Sequence, residues 1–203
     1  MKRQTVFIVD DDAAVCDSIQ ELVESVGLRA ESFASGQAFL DHYQPERAGC
    51  LVLDVRMAEM SGLVLQEKLT AMGAEIPVII ITGHADVPMA VHALKAGAVD
   101  FVQKPYRNQL LLDSINNALT LDTIARRSRD DTQVHERELA KLTRREQEVL
   151  DKLLAGSISK QIAKELGIST RTVEAHRQNL LRKLGVGSVK ELMLHPIAQE
   201  KRE

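Results

Sequence analysis

In the first half of the chain, four short apolar runs each end on a side chain able to do chemistry. TVFIV ends on Asp10, Asp11 and Asp12, CLVL on Asp54, PVIII on Thr82, and DFVQ on Lys104. The carboxylates of Asp10, Asp11 and Asp54 are the hard oxygen ligands that Mg²⁺ prefers, and Mg²⁺, or Mn²⁺ in its place, retains waters that phosphate oxygens can replace. Such an ion screens repulsion between carboxylates and neutralises the charge that develops when an Asp oxygen attacks phosphorus. Lys104 can grip a further phosphate oxygen as a point charge. Asp54 is the candidate nucleophile, since Asp serves as acceptor in covalent phosphoryl transfer. Gly83 leaves room beside Thr82 for the incoming group. Taken singly, an Asp at a strand end is usually a helix cap and a Lys before Pro is usually a surface residue. Four such groups in this order are hard to explain that way.

The elements that must position these groups alternate in type. Short apolar runs between amphipathic stretches read as buried parallel strands, and ligands gather beyond the carboxyl ends of such strands. Ala13 to Val26 places Val15, Ile19, Leu22, Val23 and Val26 on one helical face, and Gly27 ends it. A strand over Ala30 to Phe33, a helix capped by Ser35, a strand over Cys50 to Leu53 and a helix from Gly62 to Met72 follow. Then come a strand over Val78 to Ile81, a helix capped by Asp86, a strand over Val99 to Val102, and a helix from Asn108 carrying Leu111, Leu112, Ile115, Leu119 and Ile124. Five strands interleaved with helices predict a doubly wound α/β fold with a five-stranded parallel sheet.

Composition divides the chain. Residues 1–122 hold 9 Lys and Arg against 17 Asp and Glu, net −8, while residues 123–203 hold 17 against 12, net +5. An acidic half joined to a basic half implies different partners, and the basic half is the nucleic-acid candidate. The apolar run Pro77 to Ile81 is too short to cross a bilayer. MKRQTVFIV runs into a strand without a small-residue cleavage signal, so a cytoplasmic location is expected, with no membrane partner. Cys16 and Cys50 offer neither a disulfide framework nor metal-ligand spacing and read as small core hydrophobes.

No Pro or Gly interrupts the chain from Asn108 through Leu142, which predicts a helical, semi-rigid connector. Within it RRSRDDTQVHERE has almost no apolar periodicity, and the domain boundary is placed there, with 123–141 as linker. Thr143 with Glu146 forms a capping box for a helix stopped by Gly156. A second helix runs from Ser159 to Gly167, a third from Ser169 or Thr170 to Leu184, and a last one starts at Ser188, making an all-α, four-helix domain with a helix-turn-helix. On the third helix Val173, Leu180 and Leu184 share an inward face. The opposite face presents Arg171, Glu174, Ala175, Gln178 and Arg182, flanked by His176, Arg177 and Lys183. A recognition helix needs this division, with cations for phosphates and short or bidentate groups for base edges. By geometry Glu174 can accept from cytosine, Gln178 pair with adenine and Ala175 touch a thymine methyl. A solvated basic helix face has the same pattern.

VDDD at 9–12, LDVRM within 51–57, MSG at 60–62, TGH at 82–84 and KP at 104–105 resemble the receiver domain of two-component response regulators over about residues 1–120. The resemblance implies a flavodoxin-like receiver in which a sensor histidine kinase phosphorylates Asp54. In it Asp10, Asp11, Asp54 and the Arg56 carbonyl hold Mg²⁺, Lys104 grips the phosphate, and Lys104-Pro105 is cis. It further implies that Thr82 and Phe101 form a switch pair, and that Arg56 and His84 tune phosphate loss. The sequence departs from the pattern at Ala58, where Pro is usual, and a looser loop beside Asp54 is expected.

LTRREQEVLDKLLAG, SKQIAKELGIS and TRTVEAHRQNLLRKLGV resemble the LuxR-type helix-turn-helix over 142–203, placing Thr172, Glu174, Ala175, His176, Gln178 and Lys183 at or near DNA. Both halves in this order resemble the NarL/FixJ class, nearest its FixJ branch. The resemblance implies a transcription regulator that homodimerises when phosphorylated, through a surface around 86–106. Its partners would be double-stranded promoter DNA and RNA polymerase, and its only catalysis its own phosphorylation and dephosphorylation. Two rivals stand beside this reading: a regulator whose receiver only dimerises, independent of phosphorylation, and an Asp-nucleophile phosphatase, for which no cap insertion is evident.

Overall fold

The computed structural model describes residues 4–84, 86–195 and 197–198. The chain divides into two compact units, 1–126 and 127–203.

The first unit contains β1 (Thr5–Val9), α1 (Ala13–Ser25), β2 (Arg29–Phe33), α2 (Gly36–His42), β3 (Gly49–Asp54), α3 (Gly62–Ala71), β4 (Val78–Thr82), α4 (Val87–Lys95) and β5 (Asp100–Gln103). The five strands are all parallel and ordered β2-β1-β3-β4-β5. β1, β3 and β4 are buried along their whole length, as strands covered on both faces must be. One face of the sheet puts Val6, Ile8, Cys50, Val52, Ile79 and Ile81 against Cys16, Ile19 and Val23 of α1 and Leu111, Ile115 and Leu119 of the helix that follows β5. The other puts Phe7, Val9, Leu51, Leu53 and Ile80 against Phe39 of α2, Leu65 and Leu69 of α3 and Ala93 of α4. Both cysteines are free and buried, and burial pushes each thiol upward, as expected of core side chains.

Helix starts follow local chemistry. Asp12, Ser35 and Asp86 each accept a hydrogen bond from a backbone N–H of the first turn. Gly62, at the start of α3, has no Cβ because one would stand 2.1 Å from the Asp54 carbonyl oxygen, so the loop after β3 closes directly onto the strand. α5 runs from Asn108 to Ala140, 33 residues, straight through the stretch that lacks apolar periodicity. Helix-forming residues and the absence of Gly and Pro carry it where packing does not. Within the first unit, the buried Asp122 carboxylate accepts from the Gly49 N–H and from Arg126 Nε, and Arg126 also donates to the Pro45 and Arg47 carbonyls. That set pins this part of α5 to the start of β3.

In the second unit α6 (Arg144–Leu154), α7 (Ser159–Leu166), α8 (Thr170–Lys183) and α9 (Val189–Leu194) enclose Val149, Leu150, Leu153, Ile162, Val173, Leu180, Leu184 and Leu192. The turn from α7 to α8 passes through Gly167 at φ 66°, a left-handed conformation that favours glycine. Thr143 and Glu146 form the expected capping box. Glu146 is also buried, and it accepts from Lys183 Nζ at 2.6 Å. Burial would raise its carboxyl, but the donors from Lys183 and Thr143 outweigh burial and hold it below the ordinary glutamate range.

A carboxyl held low in the folded state contributes stability that is complete above the ordinary glutamate range. That stability is lost as pH falls through the range toward the lowered value. Glu146→Gln is therefore expected to destabilise the second unit by about 1–2 kcal/mol near neutral pH. In urea titrations followed by circular dichroism, the gap from wild type should close below about pH 4; a gap independent of pH would show that the ion pair contributes nothing.

Candidate functional site

β1 and β3 are neighbours with Val9 opposite Leu53, so Asp10 and Asp54 leave the sheet side by side. β2 lies on the far side of β1, which makes the gap between β1 and β3 the point where the strand order reverses. Ligands bind at such a point in open parallel sheets. Thr82 pairs with Gln103 across β4 and β5, and the Lys104 N–H donates to the Thr82 carbonyl at 2.8 Å. Lys104 is thereby set one residue beyond the sheet, with its side chain reaching back. Its Nζ donates to Asp10 Oδ2 and to Asp54 Oδ1, both at 2.8 Å. The remaining oxygens are also held: Asp10 Oδ1 accepts from the Asp12 N–H at 2.9 Å, and Asp54 Oδ2 from the Arg56 N–H at 2.6 Å. The Lys104-Pro105 peptide is cis.

Asp10 is 3% exposed and Asp54 5%, so two carboxylates share one ammonium in a largely dry site. Burial raises the Asp54 carboxyl above its ordinary range, and Lys104 opposes this without cancelling it. Burial would lower the Lys104 ammonium, but its hydrogen bonds to Asp10 and Asp54 reverse that and raise it. Both partners thus move upward. The asymmetry follows from the count of charges: Lys104 answers to two anions, whereas Asp54 shares its cation with Asp10.

Asp11 stands apart from this pair. It is exposed, and its Oδ2 accepts from the Ala58 N–H at 2.8 Å. Among the described residues no three His, Cys, Asp or Glu side chains are assembled as a ready-made metal cage. Mg²⁺ does not require one, since it is commonly bound by one or two carboxylates with waters and substrate phosphates completing its shell. The donors here fit that pattern: Asp10 and Asp54 hold one excess negative charge, and Asp11 carries an uncompensated one nearby in sequence. A bound Mg²⁺ would supply charge neutralisation at the attacked phosphorus. At Ala58, where Pro is usual, the backbone N–H gives Asp11 a donor that Pro lacks.

Thr82 is fully buried, and its Oγ1 accepts from the His84 N–H at 3.3 Å. Phe101 is half-buried and packs with the core cluster beneath α2, α3 and α4. Tyr106, not singled out from sequence, is half-buried against the other cluster, and burial raises its hydroxyl above the ordinary range within the field of Lys104, Asp10 and Asp54. Its position two residues after Lys104 is the sequence signal by which it could have been found.

On α8, Val173, Leu180 and Leu184 face inward, joined by Leu181. Arg171, Thr172, Ala175, Gln178 and Arg182 are exposed, and Glu174, His176, Arg177 and Lys183 are half-buried. The half-buried charges have partners inside the unit. Lys183 is bound to Glu146, while Glu174 accepts from Ser159 Oγ at 2.5 Å and lies 3.4 Å from Arg177 Nη1. Neither Ser159 nor Glu146 was flagged as a partner of α8, because each lies on another helix and only folding brings it near.

Residues 6–116 match the response regulator receiver domain, and residues 140–195 match the LuxR family of bacterial regulatory proteins. The transcriptional regulatory protein TdiR of Thauera aromatica is 49% identical over 93% of this chain and 83% of its own length. The transcriptional regulatory protein FixJ of Azorhizobium caulinodans is 42% identical over 93% of this chain and 89% of its own. Among solved structures, the response regulator StyR is 45% identical, covers 98% of this chain and 99% of its own, and superposes with a TM-score of 0.89. A receiver domain followed by a LuxR-type DNA-binding domain, over nearly the whole length of such relatives, makes this chain a response regulator of the NarL/FixJ class.

Proposed function

We propose that this response regulator is switched by phosphorylation of Asp54 and reports the modification as a change in promoter binding. The observation that carries the reading is Lys104 Nζ, 2.8 Å from both Asp10 and Asp54 at the strand-order reversal. An Asp54 oxygen attacks the phosphorus of a phosphohistidine on a sensor histidine kinase. The new P–O bond forms as the P–N bond breaks, and the histidine nitrogen departs with the electron pair. Asp10, Asp11, Asp54 and the Arg56 carbonyl are the groups that would hold Mg²⁺, or Mn²⁺, during the transfer. Lys104, already charged and pointed at Asp54, turns to a phosphate oxygen once the carboxylate is esterified. Thr82 and Phe101 then follow the phosphate as a switch pair, the hydroxyl toward it and the ring inward. Arg56 and His84, flanking the site, set how fast water removes the group. The receiver thus acts on itself and turns over no outside substrate.

The consequence is dimerisation through the surface around residues 86–106. Val87, Val91 and Leu94 of α4 lie at helical spacing on one face and are 77%, 44% and 49% exposed, an apolar stripe that a second copy would cover. Pairing presents two α8 helices to two half-sites of double-stranded promoter DNA, where the regulator meets RNA polymerase. Residues 1–122 act as receiver, 123–141 as helical linker and 142–203 as DNA reader. No helix among the described residues is long and apolar enough to cross a membrane. A regulator that meets DNA works in the cytoplasm.

On α8, exposed Arg171 and Arg182 contact phosphates, with Arg177 and His176 beside them. Thr172, Ala175 and Gln178 meet base edges or sugars, and Glu174 and Lys183 do so only by leaving Ser159 and Glu146.

With acetyl phosphate and Mg²⁺ present, wild type should gain promoter affinity and Asp54→Asn should not. Equal affinity of the two in a fluorescence anisotropy titration would sink the switch and leave a receiver that only dimerises. Arg171→Ala and Arg182→Ala should each weaken binding to all sequences and reduce the slope of log affinity against log salt by about 1. An unchanged slope in titrations across salt concentrations would remove that arginine from the interface.

A further inference from the structure

Resting on the reading that the acid cluster takes a divalent cation, we propose that the backbone N–H of Ala58 is a positioning group for Asp11, pre-setting the cation site of this chain. The loop between β3 and α3 is closed at its base, where the Gly62 N–H donates to the Val55 carbonyl at 3.0 Å and the Val55 N–H to the Ile81 carbonyl at 3.1 Å. Two of its N–H groups serve carboxylates. Arg56 donates to Asp54 Oδ2 at 2.6 Å, and Ala58, two residues on, donates to Asp11 Oδ2 at 2.8 Å. Met57 and Met60 pack against the core, one before Ala58 and one after, so the exposed tip has a defined place from which to donate.

The charges explain what this hydrogen bond achieves. Asp10 and Asp54 already divide the charge of Lys104 between them. Asp11 is held by a neutral donor, which fixes its rotamer and leaves its negative charge whole. Among the described residues its Oδ1 has no hydrogen-bond partner, and a carboxylate oxygen has lone pairs enough to accept an N–H and face a cation together. Carboxylates that bind metals are commonly steadied by such outer donors, and loss of one weakens metal binding by about tenfold or more in enclosed sites. At this exposed tip the expected effect is smaller, about fivefold. A proline at position 58 has no N–H to give, so the residue type at this position sets how firmly Asp11 is placed.

The test is a Mg²⁺ titration of the full chain, followed by amide chemical shifts, with wild type, Ala58→Pro and Ala58→Gly. Ala58→Pro should bind Mg²⁺ about fivefold more weakly, while Ala58→Gly, which keeps the N–H, should stay within about twofold of wild type. Equal affinity in wild type and Ala58→Pro, tighter binding by Ala58→Pro, or equal weakening by Ala58→Gly would overturn the inference alone. Absence of saturable Mg²⁺ shifts in wild type would overturn the cation reading and the inference with it. A second measurement does not depend on how Ala58→Pro folds: the Ala58 amide of the metal-free wild type should exchange slowly with solvent and be released by Asp11→Ala. Fast exchange in wild type would show that the hydrogen bond is not populated, and an Ala58 amide that stays slow in Asp11→Ala would show that Asp11 is not its acceptor; either result overturns the inference.

Discussion

One ammonium shared by two buried carboxylates is the constraint on which the first domain depends. Leaving a carboxylate buried without a partner costs several kcal/mol, and here Asp10 and Asp54 sit next to each other at the ends of adjacent strands. Lys104 meets both, and it can do so only because β5 pairs with β4 in the register that puts Lys104 just past the sheet. Strand order, register and ion pair therefore specify one another. A shift of one residue in β5 would turn Phe101 and Val102 to the wrong faces and carry the ammonium away from both acids. The remaining acid oxygens are taken by the Asp12 and Arg56 N–H groups, so charge is balanced by one Lys and directed by backbone. The site keeps one excess negative charge, which a bound cation would offset.

What was legible in the sequence is what local chemistry determines. The strand interiors were plain because a parallel strand covered on both faces must be continuously apolar, and the helix starts because Asp12, Ser35, Asp86 and Thr143 cap their own first turns. Strand ends drifted by a residue, as at β5, which begins at Asp100 and not at Val99. The members of the acid site were legible because each follows its own apolar run. Their partners were not. Ala58 reaches Asp11 across 47 residues, Lys183 reaches Glu146 across 37, and Ser159 reaches Glu174 across 15. No periodicity encodes such pairs, since each depends on which helix is folded against which strand or helix.

α5 shows the limit of reading packing from pattern. Its apolar face fades after Leu119, and the sequence predicts in the charged stretch beyond both a helical connector and the domain boundary; the helix runs on to Ala140, and the two compact units divide between residues 126 and 127. Periodicity reports burial, and helix formation needs only favourable residues without interruption. Where apolar contacts run out, Arg126 pairs with Asp122 one turn earlier, and Thr132 Oγ1 donates to the Ser128 carbonyl. Charged and polar side chains thus carry the middle of the helix, before Leu139 packs against the second unit's own core.

The second domain shows why a count of basic residues overstates a DNA-binding surface. Four cations of α8 stand on its polar face or its flanks, but they are not equivalent. Lys183 closes the capping box of α6 by binding the buried Glu146, which ties the end of α8 to the start of α6. Arg177 leans on Glu174, which Ser159 of α7 also holds. Arg171 and Arg182 remain exposed, Arg182 donates to Asn179 Oδ1 of its own helix, and among the described residues neither is paired with a carboxylate. A cation already paired with a carboxylate must lose that partner before it can neutralise a phosphate, so it contributes less to non-specific affinity than an unpaired one. The paired cations hold α6, α7 and α8 as one body, and the unpaired ones give that body its charge toward a ligand. The same division appears in the first domain, where Lys104 is bound within the fold until phosphorylation of Asp54 would give it a different oxygen to hold.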